Sequence, residues 1–329
     1  MKITEHNEKV LEKFATMIIT RMEEMKSEQW KKGWIGKTIG GSPVNIEGRN
    51  YQGHNIFWLM LDCAMGHFNY PIYCTLRQAN KLGAHVNKGA KSMPVIFWDH
   101  YAVTPTGRKL SMDVYDNMTP AEKQQCGLVP FLKSYNVFNV DQTNLGEKHP
   151  EKLDKLKSMF KVDVLTDSDG MYDNAALDEL LNRQDWVCPI QFDEPADGAY
   201  YSASYDRIVI PTKAQFRIGE TDEEIYTDGQ EYYASLLHEM IHSTGTPERL
   251  NRTMGKRFGD GLYAKEELVA ELGAARCGQV LGFDKRILDN NAAYLDNWIA
   301  DFKKEPKYVL SLMGDVDKAS RMILDKLTA

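Results

Sequence analysis

Two of the eight histidines in this 329-residue chain lie four residues apart in the stretch ASLLHEMIHSTG, with a glutamate directly after the first. The pattern is H-E-x-x-H: His238, Glu239, His242. On a helix, positions i and i+4 share a face, so both imidazoles reach toward one point. Two neutral imidazoles at that spacing are a divalent-metal pair, and a glutamate beside the metal can take a proton from an attacking water. The plainer alternative is a helix that happens to carry two histidines on its surface. The apolar neighbours Leu236, Leu237, Met240 and Ile241 argue against a surface helix, because they bury it.

A catalytic zinc site needs three protein ligands and an open position. No histidine follows His242, so a third histidine ligand downstream is excluded, and a carboxylate from a second helix is the remaining common choice. The stretch AKEELVAELGAA supplies it. Glu267 and Glu271 share a helical face, with Leu268, Leu272 and Ala275 forming the neighbouring apolar stripe. Glu267 is the expected ligand, and Glu271 the carboxylate that fixes the tautomer of a ligand histidine. Glu266 projects about 100° away and is the weaker candidate. The extended segment YYSASYDRIVIP ahead of the helix reads as an edge strand able to hold a peptide backbone. Tyr201, Tyr205 and Tyr263 are candidates for polarising a carbonyl.

The elements that must position these groups are legible in part. Length favours two domains, and the pattern is that of an α+β protein. The charged, apolar-poor stretch GEKHPEKLDK divides them: residues 1–145 as one domain, 146–155 as linker, 156–329 as the second, with a small sheet and a helical C-terminus. In the first half, His6 to Met25 reads as an amphipathic helix and HNIFWLMLDCAMGH as a buried one, with Trp58 in the core. TLRQANKLG is a short helix capped by Thr75 and stopped at Gly83. AHVNKGAKSMPVIFWDHYAV reads as a hairpin turning at Asn87-Lys88-Gly89, with Trp98 in the core, and SYNVFNVDQ as a further strand. In the second half, EEIYTDGQEYYASLLHEMIHSTG is a long helix ending at Gly245, and AKEELVAELGAARCGQVLG one ending at Gly282.

Charge separates the halves. The net −7 divides into +4 over residues 1–145 and −11 over the rest, and Trp30 to Lys91 carries 8 basic against 2 acidic residues. That imbalance fits an anionic partner. In this basic region Lys31, Lys32, Lys37, Arg49, Arg77, Lys81, Lys88 and Lys91 are candidates to neutralise phosphates. Trp34, Tyr51 and Tyr73 are candidates to stack on unpaired bases, and Asn45, Asn55, Thr75 and Gln78 to bond phosphates or base edges. The five scattered cysteines form no CxxC pair, no apolar run spans a bilayer, and the first residues have no signal-peptide core, so the expected location is the cytoplasm.

The run ASLLHEMIHSTGTPERLNR followed by YAKEELVAELGAA, continuing through AAYLDNWIADFKKEPKYVL, resembles the zincin-like metallopeptidase domain of ArdC-type antirestriction proteins and of the polyvalent proteins of mobile elements. The first half, through Trp30, Trp34, GSPVNIEGRNYQGHN, YCTLRQANKLGAHVNKGAKSMPVIFW and YNVFNVDQT, is similar to the same family's N-terminal single-stranded-DNA-binding domain. The resemblance implies His238, His242 and a glutamate of EELVAE as ligands of one Zn2+, with Glu239 as base. It also implies binding of single-stranded DNA and protection of incoming DNA from host restriction, with a DNA-bound protein as a candidate substrate. Ser243 departs from the tryptophan common in relatives after the second histidine. The same residues leave rival readings. One is a repair-type zinc protease acting on DNA-bound proteins. Another is a DNA-binding module in which zinc only staples helices. A third is a peptidase whose first domain binds protein.

Overall fold

The computed structural model describes residues 5–24, 40–161, 165–252, 261–283, 303–304 and 306–327. The tryptophan-containing stretch with Trp30, Lys31, Lys32, Trp34 and Lys37 lies outside the described residues, as does AAYLDNWIADFKK up to Phe302. The fold class is α+β in two domains, as the sequence indicates.

The first half is a five-stranded sheet backed by helices. Helix α1 (Glu5–Glu24) precedes β1 (Val44–Asn45), α2 (His54–Met65), β2 (Ile72–Thr75), α3 (Leu76–Lys81), β3 (Met93–Val103), β4 (Lys109–Leu110), α4 (Met112–Asp116), α5 (Pro120–Gln125) and β5 (Gly127–Asn139). The sheet order is β1-β2-β5-β3-β4. Strands β3 and β5 pair antiparallel from Met93↔Val137 to Val103↔Gly127 and form its spine. Trp58 is 1% exposed in the core above it. Helix α3 starts where the sequence indicates: the Thr75 side chain accepts from the Gln78 backbone, and Gln78 returns the bond to Thr75. Gly83 follows at φ +66, a backbone conformation that glycine adopts without strain.

Two expectations fail here. Residues 84–92 do not form the first arm of a hairpin with β3; Val86 bridges Thr143 instead, and the partners of β3 are β5 and β4. Residues 146–155 are not an extended linker either. They fold into α6 (Leu145–Lys148) and α7 (Pro150–Lys157), whose Leu145, Leu153 and Leu156 share a core with Val44, Ile46 and Ile72.

The second half starts with α8 (Ala175–Arg183), then a small sheet of β6 (Ile190–Gln191), β7 (Tyr200–Ser202) and β8 (Arg207–Val209) in the order β6-β8-β7. YYSASYDRIVIP therefore supplies two strands, of which β7 is the edge. The long helices α9 (Asp222–Ser243), α10 (Gly261–Leu281) and α11 (Pro306–Leu327) follow. A capping box between Thr221 and Glu224 starts α9. Helix α11 packs on α10, α1 and α2, so one apolar core runs from Phe14 and Trp58 through Leu237 and Leu268 to Leu312. Among the described residues no helix is long and apolar enough to cross a membrane.

Gly229 sets the seat of α9. A Cβ there would lie 2.3 Å from the backbone nitrogen and 2.7 Å from the backbone oxygen of Tyr172. Gly→Ala in an open helix stabilises by about 1 kcal/mol. Gly229→Ala is expected to destabilise instead, by about 1–3 kcal/mol of overpacking, read as a lower denaturant midpoint. An unchanged or raised midpoint would show that α9 does not depend on this contact.

Candidate metal centre and nucleic-acid groove

Helices α9 and α10 cross where Gly273 meets Ile241: a Cβ on Gly273 would stand 2.8 Å from Ile241 Cδ1. The missing side chain lets the two backbones approach and brings the glutamates of α10 under the histidines of α9. His238 Nε2 lies 3.0 Å from His242 Nε2. Glu267 completes the triangle, with Oε2 3.6 Å from His238 Nε2 and Oε1 3.5 Å from His242 Nε2. Among the described residues these three form the one cluster whose donor atoms suit a metal ion. A tetrahedral ion at roughly 2.0–2.2 Å from each donor holds its ligands roughly 3.3 Å apart, so the triangle fits.

Each imidazole has a carboxylate behind it. His238 Nδ1 is 3.1 Å from Glu271 Oε1, and His242 Nδ1 is 3.4 Å from Glu266 Oε1. Both carboxylates are buried. A carboxylate on Nδ1 selects the tautomer that turns a bare Nε2 toward the centre. Glu271 lies behind His238. Glu266 takes the matching position on the other histidine rather than that of a ligand. Burial pushes the Glu266 carboxyl up, but the Arg252 guanidinium and His242 offset this and hold it below the usual carboxylate range. Glu239 is buried next to His238 along α9.

Arg252 was invisible to the sequence reading. Its Nε donates to Glu266 Oε2 at 2.9 Å and its Nη2 to Glu266 Oε1. It also donates to Ile241 O at 2.8 Å and Thr244 Oγ1 at 2.7 Å, satisfying the C-terminal end of α9. Gly245 makes room for it; a Cβ there would be 2.9 Å from Arg252 Nη2. Ser243 is buried and accepts from Trp186 Nε1 at 2.9 Å, so the indole of Trp186 packs against this point of α9. Of the three candidate tyrosines, Tyr201 donates its hydroxyl to Asp206 at 2.7 Å and Tyr205 is 77% exposed on the β7–β8 turn. The Tyr263 side chain is outside the described residues.

The first half carries a groove of about 1170 Å³ against the sheet. Of the candidate nucleic-acid residues, Asn45, Tyr51, Asn55, Thr75, Arg77 and Gln78 line it, joined by Phe97 and Tyr135. Arg49, Lys88 and Lys91 are exposed but are not among the lining residues. Tyr73 corrects the reading: it is fully buried, with its hydroxyl on Leu59 O at 2.6 Å, so it packs the core and stacks on nothing external. Asn55 is also structural, because both ends of its amide are engaged by the Ile96 backbone, at 2.6 and 2.9 Å. Phe97 and Tyr135 were missed. Their rings stand 4.6 Å apart as diagonal cross-strand neighbours on β3 and β5, where Val95 pairs with Tyr135 and Phe97 with Lys133, a proximity that only the sheet register reveals.

Arg252 and Glu266 are each nearly inaccessible. Arg252→Ala would leave a buried carboxylate uncompensated, and the expected loss is about 3–5 kcal/mol of unfolding free energy, measured by chemical denaturation. A loss below about 1 kcal/mol, the range of exposed pairs, would show that the pair is solvated.

Residues 8–138 match the model of the N-terminal domain of anti-restriction factor ArdC, and residues 177–312 match that of a zincin-like metallopeptidase. Over 97% of both chains the fold is similar to crystal structures of the antirestriction ArdC protein from plasmid R388. The metal-free form has TM-score 0.64 at 25% identity. The Mn(II)-bound form has TM-score 0.61 at 25% identity and covers 96% of this chain. Among curated proteins, the chain is 29% identical to a DNA primase TraC of Escherichia coli over 90% of its own length, but spans only 25% of that protein. It is 27% identical to the uncharacterized protein y4eC of Sinorhizobium fredii, covering 92% of this chain and 87% of that one. The chain thus carries, over residues 8–138, a domain of the ArdC N-terminal type and, over residues 177–312, a zincin-like metallopeptidase domain.

Proposed function

We propose that this chain is an antirestriction protein that binds single-stranded DNA through its first domain and carries a metal-dependent peptidase in its second. It would act in the cytoplasm, covering DNA that enters as a single strand and cleaving a protein bound on or near that DNA. The observation that carries this reading is the convergence of His238 Nε2, His242 Nε2 and Glu267 in the same chain as an ArdC-type N-terminal domain. The family supports a DNA partner, and the Mn(II)-bound relative supports a divalent ion. Two imidazoles and one carboxylate favour one Zn2+ over Mn2+, which binds nitrogen donors more weakly.

The ion would be held by His238, His242 and Glu267, and when bound it supplies Lewis acidity toward a peptide carbonyl and a water. The chain's own groups do the rest. Glu239 takes the proton of the attacking water and passes it to the leaving amine. Glu271 and Glu266 keep both histidines in the tautomer that presents Nε2. The edge strand β7 offers backbone groups to an extended peptide.

Two experiments test this. Fluorescent single-stranded oligonucleotide titrated with the full chain across salt, with duplex competitor, is expected to show a preference for single strands that weakens steeply with salt. No binding at low salt contradicts the DNA reading. Glu239→Gln is expected to retain metal and DNA binding and to lose cleavage of an added DNA-bound protein by about a hundredfold or more. Cleavage retained in a clean preparation contradicts the role of Glu239. Antirestriction retained in the same variant assigns protection to DNA coverage alone.

A further inference from the structure

We propose that the single-strand site is shared between the two domains: Arg321, on the last helix of the metallopeptidase half, is a phosphate contact in the groove of the N-terminal half. This inference rests on the reading of that groove as a single-stranded-DNA site.

The groove is not bounded by the first domain alone. Ser311 and Arg321 of α11 line it together with Tyr51, Arg77 and Tyr135. These two positions are ten residues apart, roughly 15 Å along a helix, so α11 runs beside the groove for several nucleotides' worth of backbone. The chain has 47 acidic residues against 40 basic ones, yet no carboxylate is found among the described residues that line the groove. Its charged groups are Arg77 and Arg321; its other polar groups are amides and hydroxyls. Tyr135 stays 45% exposed on its wall, with Phe97 beside it, a surface on which a base can stack. Arginines, amides and aromatic faces without carboxylates suit a strand that carries phosphates on one edge and bases on the other.

Arg321 is placed for this role. Its Nη2 donates to Gln52 Oε1 at 2.6 Å, at the mouth of the groove, and its Nε lies 3.2 Å from Asp317 Oδ2. Asp317 is shared: Arg276 of α10, buried, donates to its other oxygen at 2.6 Å. Two guanidinium groups on one carboxylate leave a net positive charge, and Arg321 is the accessible member. The guanidinium fork has five N–H groups, so the bonds to Gln52 and Asp317 leave donors for a phosphate. The same helix packs on α10, which carries Glu267. DNA in the groove would therefore rest on a helix that also braces the metal centre.

The test uses the full-length chain and a fluorescent oligothymidylate titrated at several salt concentrations, for wild type, Arg321→Gln and Arg321→Lys. The contact predicts weaker binding in Arg321→Gln, and a slope of log affinity against log salt shallower by about 0.7, the share of one phosphate on a single strand. Arg321→Lys keeps the charge and is expected to restore the slope. Arg321→Gln with wild-type affinity and slope overturns the inference while leaving the DNA reading intact. So does weaker binding with an unchanged slope, which would make Arg321 a tether between the halves. If the wild type does not bind the oligonucleotide, the underlying reading fails with it.

Discussion

The candidate site depends on one close crossing of two helices. Gly273 on α10 meets Ile241 on α9, and only at that separation do the glutamates of α10 come within reach of His238 and His242. An HExxH helix by itself supplies two donors and a base. The third donor, and the carboxylates that hold both imidazoles, belong to the second helix. Packing is therefore the origin of the chemistry here. The apolar faces of α9 and α10 fix the distance, and the polar atoms at the crossing follow from it.

The crossing gathers more negative charge than two neutral histidines can balance. Glu266, Glu267 and Glu271 all lie within 3.6 Å of an imidazole nitrogen. Arg252 answers one of these charges directly through a two-pronged bond to Glu266. A bound divalent cation at the triangle would answer the others, which is why the donor set fits such an ion. The same arginine satisfies the carbonyl end of α9, so the electrostatics of the centre and the termination of its helix are one piece of structure.

The sequence exposed what is local. The His238–Glu239–His242 spacing, Thr75 at the start of α3, and the end of α10 before Gly282 all follow from rules that act within a few residues. Glu271 was found because helical geometry relates it to Glu267. What stayed hidden is long-range. Arg252 reaches Glu266 across fourteen positions, a contact that no periodicity announces. Strand β3 pairs with β5, its partners 24 to 44 residues away, and so the hairpin expected from Asn87-Lys88-Gly89 does not form. Tyr73 and Tyr51 look alike as aromatics among basic residues. Burial alone separates them: one is fully enclosed, the other lines the groove. The stretch 146–155 reads as a linker because it is charged, yet its Leu153, with the flanking Leu145 and Leu156, packs into the core of the first sheet.

The two domains share a core through α11, which touches α1, α2 and α10. A groove in one and a metal centre in the other are thus parts of one packed body. The central claim remains that α9 and α10 together form a metal site. Titrating the full chain with Zn2+ against a chromophoric chelator tests it most directly, beside Glu267→Gln. The account predicts one ion per chain in the wild type and affinity lowered by more than about tenfold in the variant. No bound ion, or equal affinity in both proteins, would contradict it.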